Sequence, residues 1–153
     1  MSERSTQHAT FVIERLYAAA PARVFKAFAD PQAKARWFAG PEEWVTGLRE
    51  ADFRIGGRER LSAGPKGGTA HRFDAIYQDI VPNERIIYTY DMHLDEKRIS
   101  LSLATIEFKP AGAGTRLVFT EQGVFLDAYD DAGSREQGTK GLLDKLGAYL
   151  QRE

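Results

Sequence analysis

The chain has 153 residues, in which 21 Lys and Arg nearly balance 22 Asp and Glu. This length suits one domain over residues 1–153 with a sizeable core, and the balanced charge argues against nucleic-acid binding, which needs surplus cations. Because the chain contains no cysteine, disulfides, thiolate metal sites and a cysteine nucleophile are excluded.

The N-terminal third predicts one strand followed by two short helices. Residues 1–9 are polar and are expected to be flexible, whereas residues 10–18 are rich in strand formers. Pro21 and Pro31 each suit the first turn of a helix, and Asp30 can cap the second one. No secretory signal and no run of 18 apolar residues occur, so we expect a cytoplasmic protein without membrane insertion.

The central region changes to the two-residue period of β-strands. We predict six strands, at residues 44–55, 58–62, 69–81, 85–93, 98–109 and 115–122. Glycine-, proline- and asparagine-containing turns separate them. Because the strands follow one another through short turns, they are expected to pair antiparallel.

The C-terminal region predicts a long helix that begins at Ser134. Ser134 and Gln137 have the spacing of a capping box, in which two side chains satisfy two backbone donors. Gly138, Gly141 and Gly147 lie inside this helix, where each costs about 1 kcal/mol relative to alanine. They either allow close packing, the commoner reason, or keep space open for a ligand.

Together these elements predict an α+β helix-grip architecture. A strongly curved antiparallel sheet of about seven strands would surround the long C-terminal helix, with the two short helices following strand 1. A cavity would remain between sheet and helix wherever the facing side chains do not fill the space.

Five short motifs carry a family resemblance. In chain order they are APARVFKAF (20–28), DPQAKARWF (30–38), DFRIGG (52–57), VPNERI (81–86) and GTRL (114–117). With them the chain resembles the START/SRPBCC superfamily, typified by the birch-pollen allergen, over residues 11–150. Within it the chain is similar to the branch named for the activator of heat-shock-protein ATPase homologue. Many relatives carry Gly-Trp at the final helix, where this chain has Gly138 and Thr139.

The resemblance implies a domain that binds lipids, sterols, polyketides or other hydrophobic molecules. Some members of the superfamily are polyketide cyclases or aromatases. The branch takes its name from a co-chaperone, which would imply a role in the stress response. That activity also depends on an N-terminal domain for which we expect no room in this chain, so the literal name is discounted.

The histidines give weak candidates for chemistry. No nucleotide-binding loop occurs, and His8, His71 and His93 do not have the spacing of a zinc site. We therefore expect no metal and no cofactor. His71 could be a general base or a donor to a ligand carbonyl, and the alternative is a surface histidine near a loop.

An aromatic set falls on one face of the predicted sheet. Most of these rings are expected to be core, but buried tyrosine hydroxyls need partners. The interior should therefore be partly polar, which suits an apolar ligand with a few oxygen atoms. The residues expected to bind it are Trp37, Trp44, Phe73, Tyr77, Tyr88, Tyr90, Met92 and Phe119.

The charged strand residues are expected to face solvent. Arg58 and Arg60 would share one strand face, with a ligand carboxylate as their alternative partner. Glu107 and Glu121 could be paired acids across neighbouring strands, although solvent-facing ion pairs are the expected role. Residues 125–133 are interpreted as a loop near the cavity mouth.

Three functions are consistent with these sequence features. The first is binding of a hydrophobic small molecule between the sheet and the C-terminal helix. The second is a polyketide cyclase or aromatase, with His71 and Tyr88 as weak catalytic candidates. The third is a co-chaperone-like protein-interaction module. We expect no nucleic-acid partner, and a homodimer is left open.

Overall fold

The computed structural model describes residues 3–152. Its elements are β1 (Thr6–Tyr17), α1 (Pro21–Ala29), α2 (Pro31–Ala35), β2 (Val45–Ala51), β3 (Arg58–Gly64), β4 (His71–Val81), β5 (Arg85–Leu94), β6 (Lys97–Ala111), β7 (Gly114–Leu126) and α3 (Ala132–Arg152). The predicted order of one strand, two short helices, six strands and one long helix is confirmed. Among these described helices, none is long and apolar enough to cross a membrane.

All seven strands form one antiparallel sheet in the order β1-β7-β6-β5-β4-β3-β2. The pairing register shifts between Thr46 and Leu48, between Tyr77 and Asp79, and between Met92 and His93. Such irregularities bend a strand and increase its twist. The α+β helix-grip fold is therefore confirmed, with α3 packed in the curve of the sheet.

The hydrophobic core lies between the inner face of the sheet and the helices. Val24, Phe25 and Phe28 of α1 are all buried, as their spacing predicts. Leu143 and Leu146 of α3 are buried in the same cluster. The side chains of the outer face point away from this core because neighbouring residues of a strand alternate between its faces.

The N-terminal strand is longer than predicted. Residues 6–9 are not the flexible segment expected from their polarity, because they pair with residues 123–126 of β7. This pairing is possible since β7 itself continues to Leu126, past the predicted end at residue 122. His8 therefore lies in a strand and not in a frayed terminus. Met1 and Ser2 lie outside the described residues.

The start of α3 also differs from the prediction. The helix begins at Ala132, and the carboxylate of Asp131 accepts hydrogen bonds from the Ser134 N–H (2.8 Å) and hydroxyl (3.0 Å). The predicted capping box of Ser134 and Gln137 is therefore wrong. Asp131 caps the helix because it directly precedes the first turn, where amide donors lack partners.

Candidate functional site

A cavity of about 420 Å³ lies between the inner face of the sheet and α3. Its wall combines residues of β3, β4, β5 and β7, the segment from α2 to Trp44, and one side of α3. The wall is mainly apolar, but it includes Lys34, Glu121 and Arg135. It is the kind of partly filled space that a curved sheet around a helix predicts.

The exposed residues of the cavity lining are Pro41, Gly138, Gly141 and Lys145, so we place the mouth of the cavity between α3 and residues 39–44. Gly138 and Gly141 line this opening, and a Cβ added at either would meet no atom within 4 Å. A Cβ at Gly147, by contrast, would lie 3.3 Å from the Tyr17 ring. Close packing therefore explains Gly147, whereas Gly138 and Gly141 leave space open at the mouth.

One side chain crosses the mouth. Lys145, on α3, donates from Nζ to the backbone oxygen of Ala39 at 2.9 Å. The contact is exposed and joins the helix to the segment after α2. The cavity is thus partly covered at this point.

Seven of the eight residues expected to bind a ligand line the cavity: Trp37, Trp44, Phe73, Tyr88, Tyr90, Met92 and Phe119. Tyr77 does not, because its hydroxyl donates to Glu59, beside a separate pocket of about 250 Å³. Phe38 completes the aromatic wall, with its ring centroid 5.2 Å from that of Phe73. Ligand binding by these residues stays a prediction.

A buried polar cluster lies at the α3 end of the cavity, around Arg135. Its guanidinium donates to the Tyr90 hydroxyl (3.0 Å), Ser100 (2.7 Å), Asp130 (3.0 Å) and Glu121 (3.4 Å). Burial lowers the pKa of Arg135, but Tyr90, Glu121 and Asp130 outweigh it and the pKa is raised. Arg135 is therefore a fixed cation.

Glu121 is the acid at the centre of this cluster. Its Oε2 accepts hydrogen bonds from Tyr90 and from Ser102, each at 2.7 Å. Its Oε1 is buried and has no hydrogen-bond partner within the described chain. The expectation of a solvent-facing Glu121 is wrong, since the residue is 1% exposed. The acid follows Leu117 and Phe119 at two-residue spacing on the inner face of β7.

Glu107, the acid that was considered as a partner of Glu121, lies in a different part of the sheet. Glu107 faces Val118 in the register of β6 and β7, whereas Glu121 faces Ala104. Glu107 is partly exposed and pairs with Lys109 at 3.3 Å. The two carboxylates are therefore not a pair across neighbouring strands.

A second buried polar cluster lies at the α2 end of the cavity, around Lys34. Nζ of Lys34 donates to Oε1 of Glu59 at 2.7 Å, and the Tyr77 hydroxyl donates to the same oxygen. Nζ also lies 4.5 Å from the Phe38 ring centroid. Sequence reasoning missed Lys34, although it precedes Trp37 and Phe38 by three and four residues, the spacing of neighbours on one helical turn. The turn after α2 keeps this spacing, since the N–H groups of Trp37 and Phe38 both donate to the Lys34 carbonyl.

The Tyr88 hydroxyl lies between the two clusters without a hydrogen bond to any described residue. Burial, followed by the nearby Tyr90 and Glu121, raises the pKa of Tyr88 well above its usual value. The phenol therefore stays protonated at neutral pH. It offers a ligand one donor and one acceptor.

The two weak catalytic candidates line the same cavity from different parts of the sheet. His71 is at the start of β4, and its ring is 4.5 Å from the Trp44 ring. In the register Tyr88 lies opposite Tyr77, which is six residues from His71. The backbone of His71 is therefore roughly 20 Å from that of Tyr88 along the strands.

The outer face of the sheet carries a broad groove of about 610 Å³. Asp74, Asp91 and His93 lie on this face, with potential ligand atoms within 4.8 Å of one another. Arg58 lines the groove, and Arg60 pairs with Asp74 at 2.9 Å, so both arginines are turned away from the cavity. The groove lacks the buried aromatic wall of the inner cavity, which is why the inner cavity is the candidate site.

The comparisons with known proteins agree with this geometry. Residues 18–151 match the model of the family described as Activator of Hsp90 ATPase homolog 1-like protein. The chain belongs to this family. The five short motifs indicate the same branch of the START/SRPBCC superfamily, so that identification is confirmed.

Solved structures show how far the Activator of Hsp90 ATPase homolog 1-like fold extends. A protein from Rhizobium leguminosarum is 52% identical over 99% of this chain and 100% of its own, with a TM-score of 0.94. Mll3558 from Rhizobium loti is 46% identical over 95% and 99%, with a TM-score of 0.86. CV1439 from Chromobacterium violaceum is 30% identical over 91% and 94%, with a TM-score of 0.76. A comparison with curated proteins found no match.

Proposed function

We propose that this chain binds an apolar small molecule in the cavity between the sheet and α3. The observation that supports the proposal is the cavity of about 420 Å³ with its mainly aromatic and aliphatic wall. This volume falls within the range of small-molecule sites, roughly 300–1,000 Å³. Removing apolar ligand surface from water would contribute about 25 cal/mol per Å².

The same geometry supports binding over acid–base catalysis. A cyclase or aromatase needs a base and an acid that reach the same part of the substrate. His71 and Tyr88, the two residues considered for these roles, are separated by six residues along the sheet. His71 also packs against the Trp44 ring, with the two ring planes tilted by 33°, so a packing role is sufficient for it.

Naphthalene is a suitable probe of the proposed binding because it carries no polar group. We expect it to shift the indole N–H signals of Trp37 and Trp44, both at the cavity wall, in a saturable NMR titration. Gly138→Leu should weaken binding at least about tenfold, because the new side chain would occupy the mouth. Absence of saturable shifts, or unchanged affinity in this variant, would contradict the proposal.

A matched control uses another position of α3. Ala148→Leu adds a similar side chain to an exposed part of the same helix, away from the cavity. It should leave naphthalene binding unchanged. Equal losses in both variants would indicate a general effect on α3 rather than a blocked mouth.

A second candidate function uses the outer face of the sheet. Val12 and Leu16 of β1 are 54% and 76% exposed, and Leu101 and Leu103 of β6 are also exposed. A contiguous apolar patch formed by such residues would favour a protein-interaction role, as in the co-chaperone-like alternative. If copies of the chain meet through this face, sedimentation velocity should show self-association that Leu16→Ser abolishes. A monomer at all concentrations would contradict that interface.

A further inference from the structure

One of the charged side chains that line the cavity has no opposite charge beside it. Lys34 pairs with Glu59 at 2.7 Å, and Arg135 pairs with Glu121 at 3.4 Å. Lys145 also lines the cavity, but it forms no ion pair with an acid of the described chain, and its hydrogen bonds go to backbone oxygens. The lining therefore contains one unbalanced charge within the described residues, and that charge is positive.

Lys145 has open space beside it on α3. The residue one helical turn earlier is Gly141, and a Cβ added there would meet no atom within 4 Å. Side chains of a helix lean toward its N-terminus, so the lysine side chain leans toward this glycine. The helical neighbours of Lys145 include no acid, since they are Gly141, Leu142, Ala148 and Tyr149. The space over Gly141 can therefore hold the head group of a ligand next to the cation.

The apolar wall of the cavity begins beside the same cation. Nζ of Lys145 lies 2.9 Å from the backbone oxygen of Ala39 and 3.5 Å from that of Gly40. A Cβ added at Gly40 would lie 2.6 Å from Cε3 of Trp44, so the indole ring packs directly on this backbone. An ammonium group has three N–H donors, and the two backbone oxygens take at most two of them. A ligand that packs on Trp44 can thus present an acceptor to the remaining donor.

We infer that the cavity prefers an apolar molecule with an anionic head group, such as a carboxylate, that pairs with Lys145 at the mouth. This inference rests on the proposed function, since it names the chemical class of the molecule bound there. The head group would stay at the mouth because water remains available to it there. An anion placed deeper would lose its hydration and would meet cations that already have acid partners.

The preference should be moderate because the mouth is open to water. Lys145 is exposed, so solvent screens its charge. Glu42 and Glu43 belong to the segment that faces α3 across the mouth, and both are exposed and lie outside the cavity lining. Their negative charges oppose the attraction of an anion without occupying Lys145.

The test compares naphthalene, 2-naphthamide and 2-naphthoate at pH 7, in NMR titrations that follow the indole N–H signals. The amide and the carboxylate have nearly the same shape and differ in charge. At low ionic strength we expect 2-naphthoate to bind about two- to fivefold more tightly than 2-naphthamide, the effect of an exposed ion pair. In 1 M salt, where the Debye length is about 3 Å, this difference should largely disappear. Equal affinities at low salt, or tighter binding of the amide, would overturn the inference.

Substitutions on α3 assign the preference to one residue. Lys145→Gln should abolish it, and Lys145→Glu should reverse it, so that the amide binds more tightly than the naphthoate. Lys140→Glu is the matched control, because it changes the charge of α3 equally, whereas Lys140 pairs with Glu136 at 3.4 Å and lies outside the cavity lining. It should leave naphthoate the tighter ligand. A reversal in Lys140→Glu, or an unchanged preference in Lys145→Gln, would overturn the inference.

The neutral probe separates this inference from the proposed function. If naphthalene itself does not bind at Trp37 and Trp44, the proposed function is contradicted, and this inference with it. If naphthalene binds and the carboxylate has no advantage over the amide, only the preference for an anion is contradicted.

Discussion

The two ends of the cavity hold similar polar clusters, but only the cluster at the α2 end has partners for all of its buried polar atoms. At the α2 end, Lys34, Glu59 and Tyr77 bond to one another, and none of their atoms is both buried and unpartnered. At the α3 end, Arg135 and Glu121 also bond, but Oε1 of Glu121 is buried without a partner in the described chain. A base, an acid and a tyrosine thus form a completed cluster at the α2 end, where no buried side-chain atom is unpaired, and an incomplete cluster at the α3 end, where one oxygen is.

The largest expected effect comes from breaking the completed cluster. Glu59→Leu should lower the free energy of unfolding by about 3–5 kcal/mol, because Lys34 would remain buried without its acid. Urea denaturation at pH 7 measures this loss. The double variant Lys34→Met with Glu59→Leu should recover most of it, since an apolar pair has no charge to leave unpaired.

The matching change at the α3 end, Glu121→Leu, should lower the free energy of unfolding by less than Glu59→Leu does. After Glu121→Leu, Arg135 keeps Asp130 and Ser100 as partners. A loss as large as that of Glu59→Leu would show that the two clusters contribute equally to stability. The distinction between a completed and an incomplete cluster would then be wrong.

Removal of single hydroxyls sharpens the contrast between the two ends. Tyr77→Phe should lower the free energy of unfolding by about 1.5–3 kcal/mol, since it loses a hydrogen bond to a charged group. Tyr88→Phe should change it by less than about 0.5 kcal/mol, because that hydroxyl has no partner in the described chain. Thermal and urea unfolding of both variants measure the difference. Equal losses would mean that Tyr88 has a partner in solution.

A smaller change, a gain in the free energy of unfolding instead of a loss, is expected at the mouth of the cavity. Gly138→Ala should raise the free energy of unfolding by up to about 1 kcal/mol, because alanine favours the helix and its Cβ meets no atom within 4 Å. Gly147→Ala is the control, since its Cβ would lie 3.3 Å from Tyr17. A gain at Gly147 equal to that at Gly138 would contradict the distinction between open and packed glycines.

The smallest effect concerns the cap that starts α3 and so positions Arg135. Hydrogen bonds from the backbone and hydroxyl of Ser134 lower the pKa of Asp131. The stability from this carboxylate is therefore present above the usual Asp pKa of about 3.9 and is lost as pH falls through the lowered value. Asp131→Asn should flatten the fall in thermal stability below pH 4, and an unchanged slope would contradict this role.

The fold could be predicted from the sequence more fully than the site. The spacing of Val24, Phe25 and Phe28 predicts the buried face of α1, and the two-residue alternation predicts the strands. Both patterns depend only on neighbouring residues, so they are reliable guides to the fold. The predicted end of β7 is too early because Gly123 interrupts the pattern, yet Phe125 beyond it is buried.

The polar clusters could not be predicted in the same way. Charged residues are usually exposed, so the sequence favours solvent for Glu121 and does not single out Lys34. Their partners lie far along the chain, as Glu59 does from Lys34, and only the folded sheet brings them together. The two-residue spacing of Glu121 from Phe119 is the one local signal of its inward direction.

The Lys145 contact at the mouth has a consequence for exchange kinetics. Opening the cavity at this point requires the loss of the exposed hydrogen bonds from Lys145 to the backbone oxygens of Ala39 (2.9 Å) and Gly40 (3.5 Å). The net cost is roughly 1.5–3 kcal/mol, the range for a charged donor. Entry and exit of a bound molecule would then be rapid, and residence time would be set by the contacts of the molecule itself. In the proposed binding role, the protein would exchange its ligand readily and would be poorly suited to storing it.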